Sequence, residues 1–262
     1  MANRHSLARP LLAPFILIIP WLLGSQALAD LISCSSAEHD ESYKIFVDEV
    51  KMTSAAPAST ALSRGLSGLR DFVYSDLSAL TVGQASVHRC DARFPRNEGE
   101  FDETEVSTLE NLRVLLEVWG AADDPTRGRL GFVLVPAWKL TPPAVYVIRT
   151  GSSDFLAQAR RVTEFRVFAP LALGIRAYQN QHYTEAIPPL CKGVHELDTL
   201  LVGPVSPAEK ALRDNENSLR TVVNKLISDA IARARVAPDS RYRLLQPPAD
   251  GQFSCPGVGG VR

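Results

Sequence analysis

The stretch from residue 173 to residue 190 is the feature that most constrains the fold of this chain. It reads LGIRAYQNQHYTEAIPPL, a pattern typical of two short helices folded back on each other. Gly174 lies on the first helix, and Ala186 follows on the second, twelve residues later. Antiparallel helices approach closely only where the side chains between them are small. The spacing therefore predicts a tightly packed helical hairpin.

The hairpin resembles a tetratricopeptide repeat, a helix–turn–helix unit of about 34 residues. Gly174 matches the glycine of the repeat's first helix, and Ala186 and Leu190 match the small and large positions of its second helix. Pro170 departs from the pattern, because a bulky aromatic is usual there. The resemblance covers a single copy over residues 167–200, and it implies a role in protein–protein interaction. The alternative is an ordinary helical hairpin within a helical domain.

The resemblance also implies a contact surface on the first helix of the hairpin. The residues that would line this surface are Phe168, Leu171, Ile175, Tyr178 and Gln179. Four of these five side chains are apolar, whereas a peptide-binding groove usually carries polar anchors. The alternative is that this face packs against the N-terminal half of the chain or against the last helix.

The N-terminus has the three parts of a secretory signal peptide. Arg4 and Arg9 belong to a basic start, an apolar run follows at 11–23, and small residues end at Ala29. The apolar run has 13 residues, whereas a helix that spans a membrane needs ~20. We therefore expect residues 1–29 to be removed, leaving a periplasmic or secreted protein with no transmembrane span.

Cys34 offers a second way of processing the N-terminus. The sequence LISC that ends at this residue is similar to a lipobox, in which the cysteine carries a lipid anchor and becomes the first residue. Asp30 places a charge beside this sequence, and Cys34 lies eleven residues past the apolar run instead of at its end. Cleavage after Ala29 is our main expectation, and a lipid anchor at Cys34 is the alternative.

The charge of the chain excludes one class of partner. The formal net charge is −1, and loss of residues 1–29 removes two arginines and no acidic residue, which makes it −3. Proteins that bind nucleic acids usually carry a basic patch. Here the basic residues are scattered among acidic ones, so we expect no nucleic-acid partner.

The four cysteines predict two disulfides, because an even number in an exported chain is typical of a disulfide framework. Four cysteines allow three pairings. We favour Cys34–Cys90 with Cys191–Cys255, since each pair then lies within one half of the chain. The second bridge would also fix a tail that is rich in glycine and proline.

The sequence pattern changes near residue 150, where alternating strand and helix signals give way to helical signals alone. We predict an α+β fold in which a mixed sheet with helices is followed by an all-α, repeat-like half. The α/β domain is expected at 30–150, the helical domain at 151–236, and an irregular tail at 237–262.

The order of elements in the first half predicts the sheet. Strands are expected at 43–50, 85–90, 113–120, 130–135 and 145–149, and helices at about 62–80 and 103–112. This order is typical of a mixed sheet, and we expect its helices on one face. Together with the export signal, it resembles the periplasmic α/β domains of outer-membrane assembly proteins of the CsgG and FlgO type. That resemblance implies a role in assembly of the cell envelope.

Helical signals continue after residue 150. We expect a helix over 155–168, the hairpin, and a long final helix from Ser206 to about residue 235. Pro170 should begin or kink the helix that contains it, because proline lacks the amide proton that a helix interior needs.

We find no arrangement that indicates catalysis, a cofactor or a metal ion. His88 and Cys90 face the same side of a strand, but a disulfide at Cys90 competes with a metal there. The acidic residues between 98 and 105 lack the spacing of a helix–loop–helix calcium site, and they are typical of a solvated surface. The chain has neither a nucleophile elbow nor a glycine-rich phosphate loop.

The sequence thus predicts an exported, non-enzymatic adaptor that binds a protein partner in the cell envelope through its helical half. One alternative is an accessory of envelope assembly that acts through the α/β half. A second alternative is an exported hydrolase whose active site the sequence does not reveal.

Overall fold

The computed structural model describes ten segments of the chain. They are residues 32–34, 42–53, 60–92, 103–124, 126–141, 145–150, 155, 164–201, 210–236 and 255. The strands are β1 (Ile32–Cys34), β2 (Lys44–Met52), β3 (Ser86–Ala92), β4 (Val114–Ala122), β5 (Gly128–Leu134) and β6 (Val145–Thr150). The helices are α1 (Thr60–Leu80), α2 (Glu103–Asn111), α3 (Glu164–Gln179), α4 (Tyr183–Leu200) and α5 (Lys210–Ala234). The predicted signal peptide and, apart from Cys255, the predicted tail lie outside these segments.

The six strands form one mixed sheet in the order β1-β3-β2-β4-β5-β6. The central strand β2 runs parallel to both β3 and β4. The outer pairs β1–β3, β4–β5 and β5–β6 are antiparallel. The predicted α+β class is therefore confirmed, and the predicted strands and helices of this half match the observed ones to within a few residues.

Helices α1 and α2 cover opposite faces of the sheet. Ile45 and Val47 of β2 pack with Leu69 of α1 on the first face, whereas Phe46, between them, packs with Leu109 of α2 on the second face. The expectation that the helices share one face is wrong. The chain moves from β2 out to β3 and then back across β2 to β4, so two crossovers of the same hand place their helices on opposite faces.

The three C-terminal helices lie on the first face, together with α1, and one apolar core joins them to the sheet. Phe168 of α3 is central to it, with its ring centroid 5.2 Å from that of Phe132 and 4.6 Å from that of Tyr146. Both of these partners are on the sheet, in β5 and β6. Residues from both sides of the predicted domain boundary thus belong to the same core.

Helices α3 and α4 form a hairpin whose close approach depends on two glycines. A Cβ added at Gly174 would lie 2.6 Å from Cγ of Leu190, and one added at Gly193 would overlap Leu171. Each helix thus contributes one glycine and one leucine to the contact. Ala186 is fully buried in the same hairpin, so a larger side chain at any of the three small positions has little space.

Helix α3 ends in a Schellman motif, in which the residue after the helix adopts the left-handed conformation. Gln181 takes this position, with φ 65°. Its amide donates to Tyr178 O, and the amide of His182 donates to Ala177 O, both at 2.9 Å. The motif satisfies the last carbonyls of α3 and reverses the chain into α4.

Pro170 lies within α3 and does not begin it, because the helix runs without interruption from Glu164 to Gln179. Pro170 is buried among the helix's apolar residues. Burial of this apolar face against the sheet therefore outweighs the loss of one helical hydrogen bond. Two further helix starts were predicted, at 155 and at Ser206. Around the first the structure describes residue 155 alone, and the second lies outside the described residues.

Cys191 of α4 and Cys255 form a disulfide across a sequence separation of 64 residues. Cys90 is also disulfide-bonded, and the register of β1 on β3 sets Cys34 directly opposite Cys90. The bridge to Cys191 attaches Cys255 to the hairpin. None of the described helices is long and apolar enough to cross a membrane.

Candidate functional site

Most of the contact surface predicted on the hairpin faces the interior of the protein. Phe168, Leu171 and Ile175 are completely buried in the core. The amide of Gln179 donates to Pro136 O at 2.8 Å, just after β5, and the hydroxyl of Tyr178 donates to a carboxylate on α5. These five residues therefore attach the hairpin to the sheet and the last helix, which is the alternative that their apolar character favoured.

Tyr178 belongs to a polar cluster that joins the three C-terminal helices. Its hydroxyl donates to Asp229 of α5, and Arg233 donates to the same carboxylate at 2.6 Å and to Tyr183 of α4 at 3.0 Å. Burial, together with the bond to Asp229, raises the pKa of Tyr178 to about 12. The bond from Tyr178, followed by the interactions with Arg233, holds the pKa of Asp229 below its usual value. The cluster therefore links α3, α4 and α5 through polar contacts.

The carboxyl ends of the parallel strands offer a different site. The chain leaves β2 for the first face, where α1 lies, and leaves the neighbouring β3 for the second face, where α2 lies. In open α/β sheets, ligands bind in the crevice where connections from adjacent strands diverge in this way. Pairing of β2 with β3 ends at Asp48 and Cys90, whereas pairing of β2 with β4 continues to Met52.

A cavity of about 420 Å³ opens at this point, between the end of β2 and α1. We call it the β2–α1 cavity. Its lining residues are Glu49, Val50, Lys51 and Met52 of β2, with Ser63, Leu66, Ser67 and Arg70 of α1. Val50 and Leu66 are buried and form its apolar base, while Glu49, Lys51, Ser63 and Ser67 are exposed at its rim. The volume falls within the range typical of small-ligand sites.

Arg70 lies both in the lining of the cavity and at the point where β2 and β3 separate. Its Nε donates to Val47 O at 3.2 Å, and its Nη2 donates to Cys90 O at 3.0 Å. One guanidinium thus bridges both strands, and it also lines the β2–α1 cavity. The result is a positive charge held in a defined orientation beside an apolar base.

Sequence reasoning missed this site, although α1 carried a signal for it. The apolar stripe of α1 predicts which residues face the core, and Leu66 belongs to that stripe. Ser63, Ser67 and Arg70 recur at intervals of four and three, which places them together beside the stripe. Only the packing of α1 against β2 shows that these residues lie beside the end of β2.

The structure also brings a serine and a histidine into contact on β3. Nε2 of His88 lies 2.9 Å from Oγ of Ser86, which in turn lies 2.8 Å from Oγ of Ser42. The two side chains share a face because residues two apart on a strand point the same way. This contact lies at the amino end of β3, the opposite end of the parallel strands from the β2–α1 cavity.

Among the described residues, no group of three or more His, Cys, Asp or Glu side chains is placed to hold a metal ion. The aromatic residues of the sheet pack internally in this part of the chain: Trp119 lies over Gly131 of β5 and is 3% exposed.

Comparison with known proteins gives no further guide to this site, since no family model, curated protein or solved structure matches the chain.

Proposed function

We propose that this protein is an exported, non-enzymatic binding protein of the cell envelope that recognises its partner through its α/β half. The observation that carries the proposal is the β2–α1 cavity, which opens at the carboxyl ends of the parallel strands. The signal peptide predicted from the sequence and the disulfides support export. In this proposal the repeat-like hairpin supports the sheet, because its apolar face is buried against it.

A photo-crosslinking experiment on the full chain tests this proposal. A photoreactive phenylalanine analogue at Ser67, on the cavity rim, should yield a defined crosslinked partner in envelope fractions. The matched position is Ser218, which is exposed on α5, and it should yield none. A partner that crosslinks from Ser218 and not from Ser67 would move the function to the helical half and favour the adaptor predicted from the hairpin.

The contact between Ser86 and His88 favours a second candidate, a hydrolase, because a nucleophile and its base lie within hydrogen-bond reach of each other. We expect Ser86 to be unreactive, since its hydroxyl also donates to Tyr43 O at 3.3 Å and contacts Ser42. Labelling of the protein by a fluorophosphonate probe, lost in Ser86→Ala and retained in Ser75→Ala, would show instead that Ser86 is a nucleophile.

A further inference from the structure

We draw no further inference here: the strongest candidate, the β2–α1 cavity, belongs to the site already described, and because Arg70 in its lining already donates to Val47 O and Cys90 O, nothing in the structure shows which ligand the cavity takes.

Discussion

Gly174 of α3 and Leu190 of α4 meet at a point where the hairpin has no space for one more carbon atom. A Cβ at residue 174 would lie 2.6 Å from Cγ of Leu190 and 2.9 Å from the backbone nitrogen of that residue. Real Cβ contacts are longer than this, and the backbone cannot move without separating the helices. The glycine therefore sets the distance between α3 and α4.

Gly174→Ala should consequently destabilise the protein, although alanine is the better helix former by about 1 kcal/mol. Overpacking of a buried contact typically costs about 1–3 kcal/mol. We expect the midpoint of urea unfolding to fall, with little change in its slope.

A double-mutant cycle with Leu190→Ala separates the two effects. Shortening Leu190 removes the Cγ that the new Cβ would meet at 2.6 Å but leaves the backbone nitrogen at 2.9 Å, so Gly174→Ala should cost less in that background without becoming neutral. An equal cost in both backgrounds would show that the side chain of Leu190 does not limit the approach of the helices.

This hairpin was predictable because its constraints are local. The small residues near the turn and the apolar stripe of α1, with Leu62, Leu69 and Leu77, follow helical spacing that a sequence shows directly. Five of the six strands of the sheet were predictable for the same reason, whereas β1, which has only three residues, was not predicted. These elements are the ones whose residues contact neighbours close in the sequence or lie on one clearly apolar face.

The candidate site was not predictable, because it depends on contacts between distant segments. Arg70 reaches the carbonyls of Val47 and Cys90, which are 23 and 20 residues away. The opposite placement of α1 and α2 depends on strand order, which no local pattern encodes. Apolar residues such as Phe168 and Ile175 are expected both on a surface that binds a partner and in a core packed against the protein's own sheet. The sequence alone therefore could not decide between these two interpretations.

Gln181→Gly should stabilise the protein. Gln181 has φ 65° in an exposed turn, and this conformation costs a residue with a Cβ roughly 1–2 kcal/mol. Glycine avoids this cost but has greater freedom in the unfolded chain, so the expected net gain is up to about 1 kcal/mol. Lys225→Gly, at an exposed interior position of α5, should lose stability by about 1 kcal/mol. The same sign for both variants in urea unfolding would contradict the Schellman geometry.

Cys255→Ser should destabilise the protein by removing the bridge to Cys191, which closes a loop across 64 residues of sequence separation. A disulfide typically contributes about 2–4 kcal/mol by restricting the unfolded chain. A thiol reagent should not label the oxidised, denatured chain, because no cysteine in the described segments has a free thiol. Two reactive thiols before any reduction would mean that one of the bridges does not form. Cys191→Ser and Cys255→Ser should lower the melting temperature by similar amounts, since each removes the same bond.

The hydrogen bond from Tyr178 to Asp229 should make the stability of the protein depend on pH in the alkaline range. The pKa of Tyr178 rises from 10.0 to about 12 on folding, so the fold favours the protonated hydroxyl. Its contribution is fully present below pH 10 and is lost as the pH rises through 12. Tyr178→Phe removes the titrating group, so the stability difference between the wild type and this variant should shrink between pH 10 and pH 12.

The matched control is Tyr74→Phe, which changes a partly buried tyrosine of α1. Urea unfolding at several pH values measures both differences. If the Tyr178→Phe difference stayed constant across this range, the hydroxyl would not be donating to Asp229 in the folded protein.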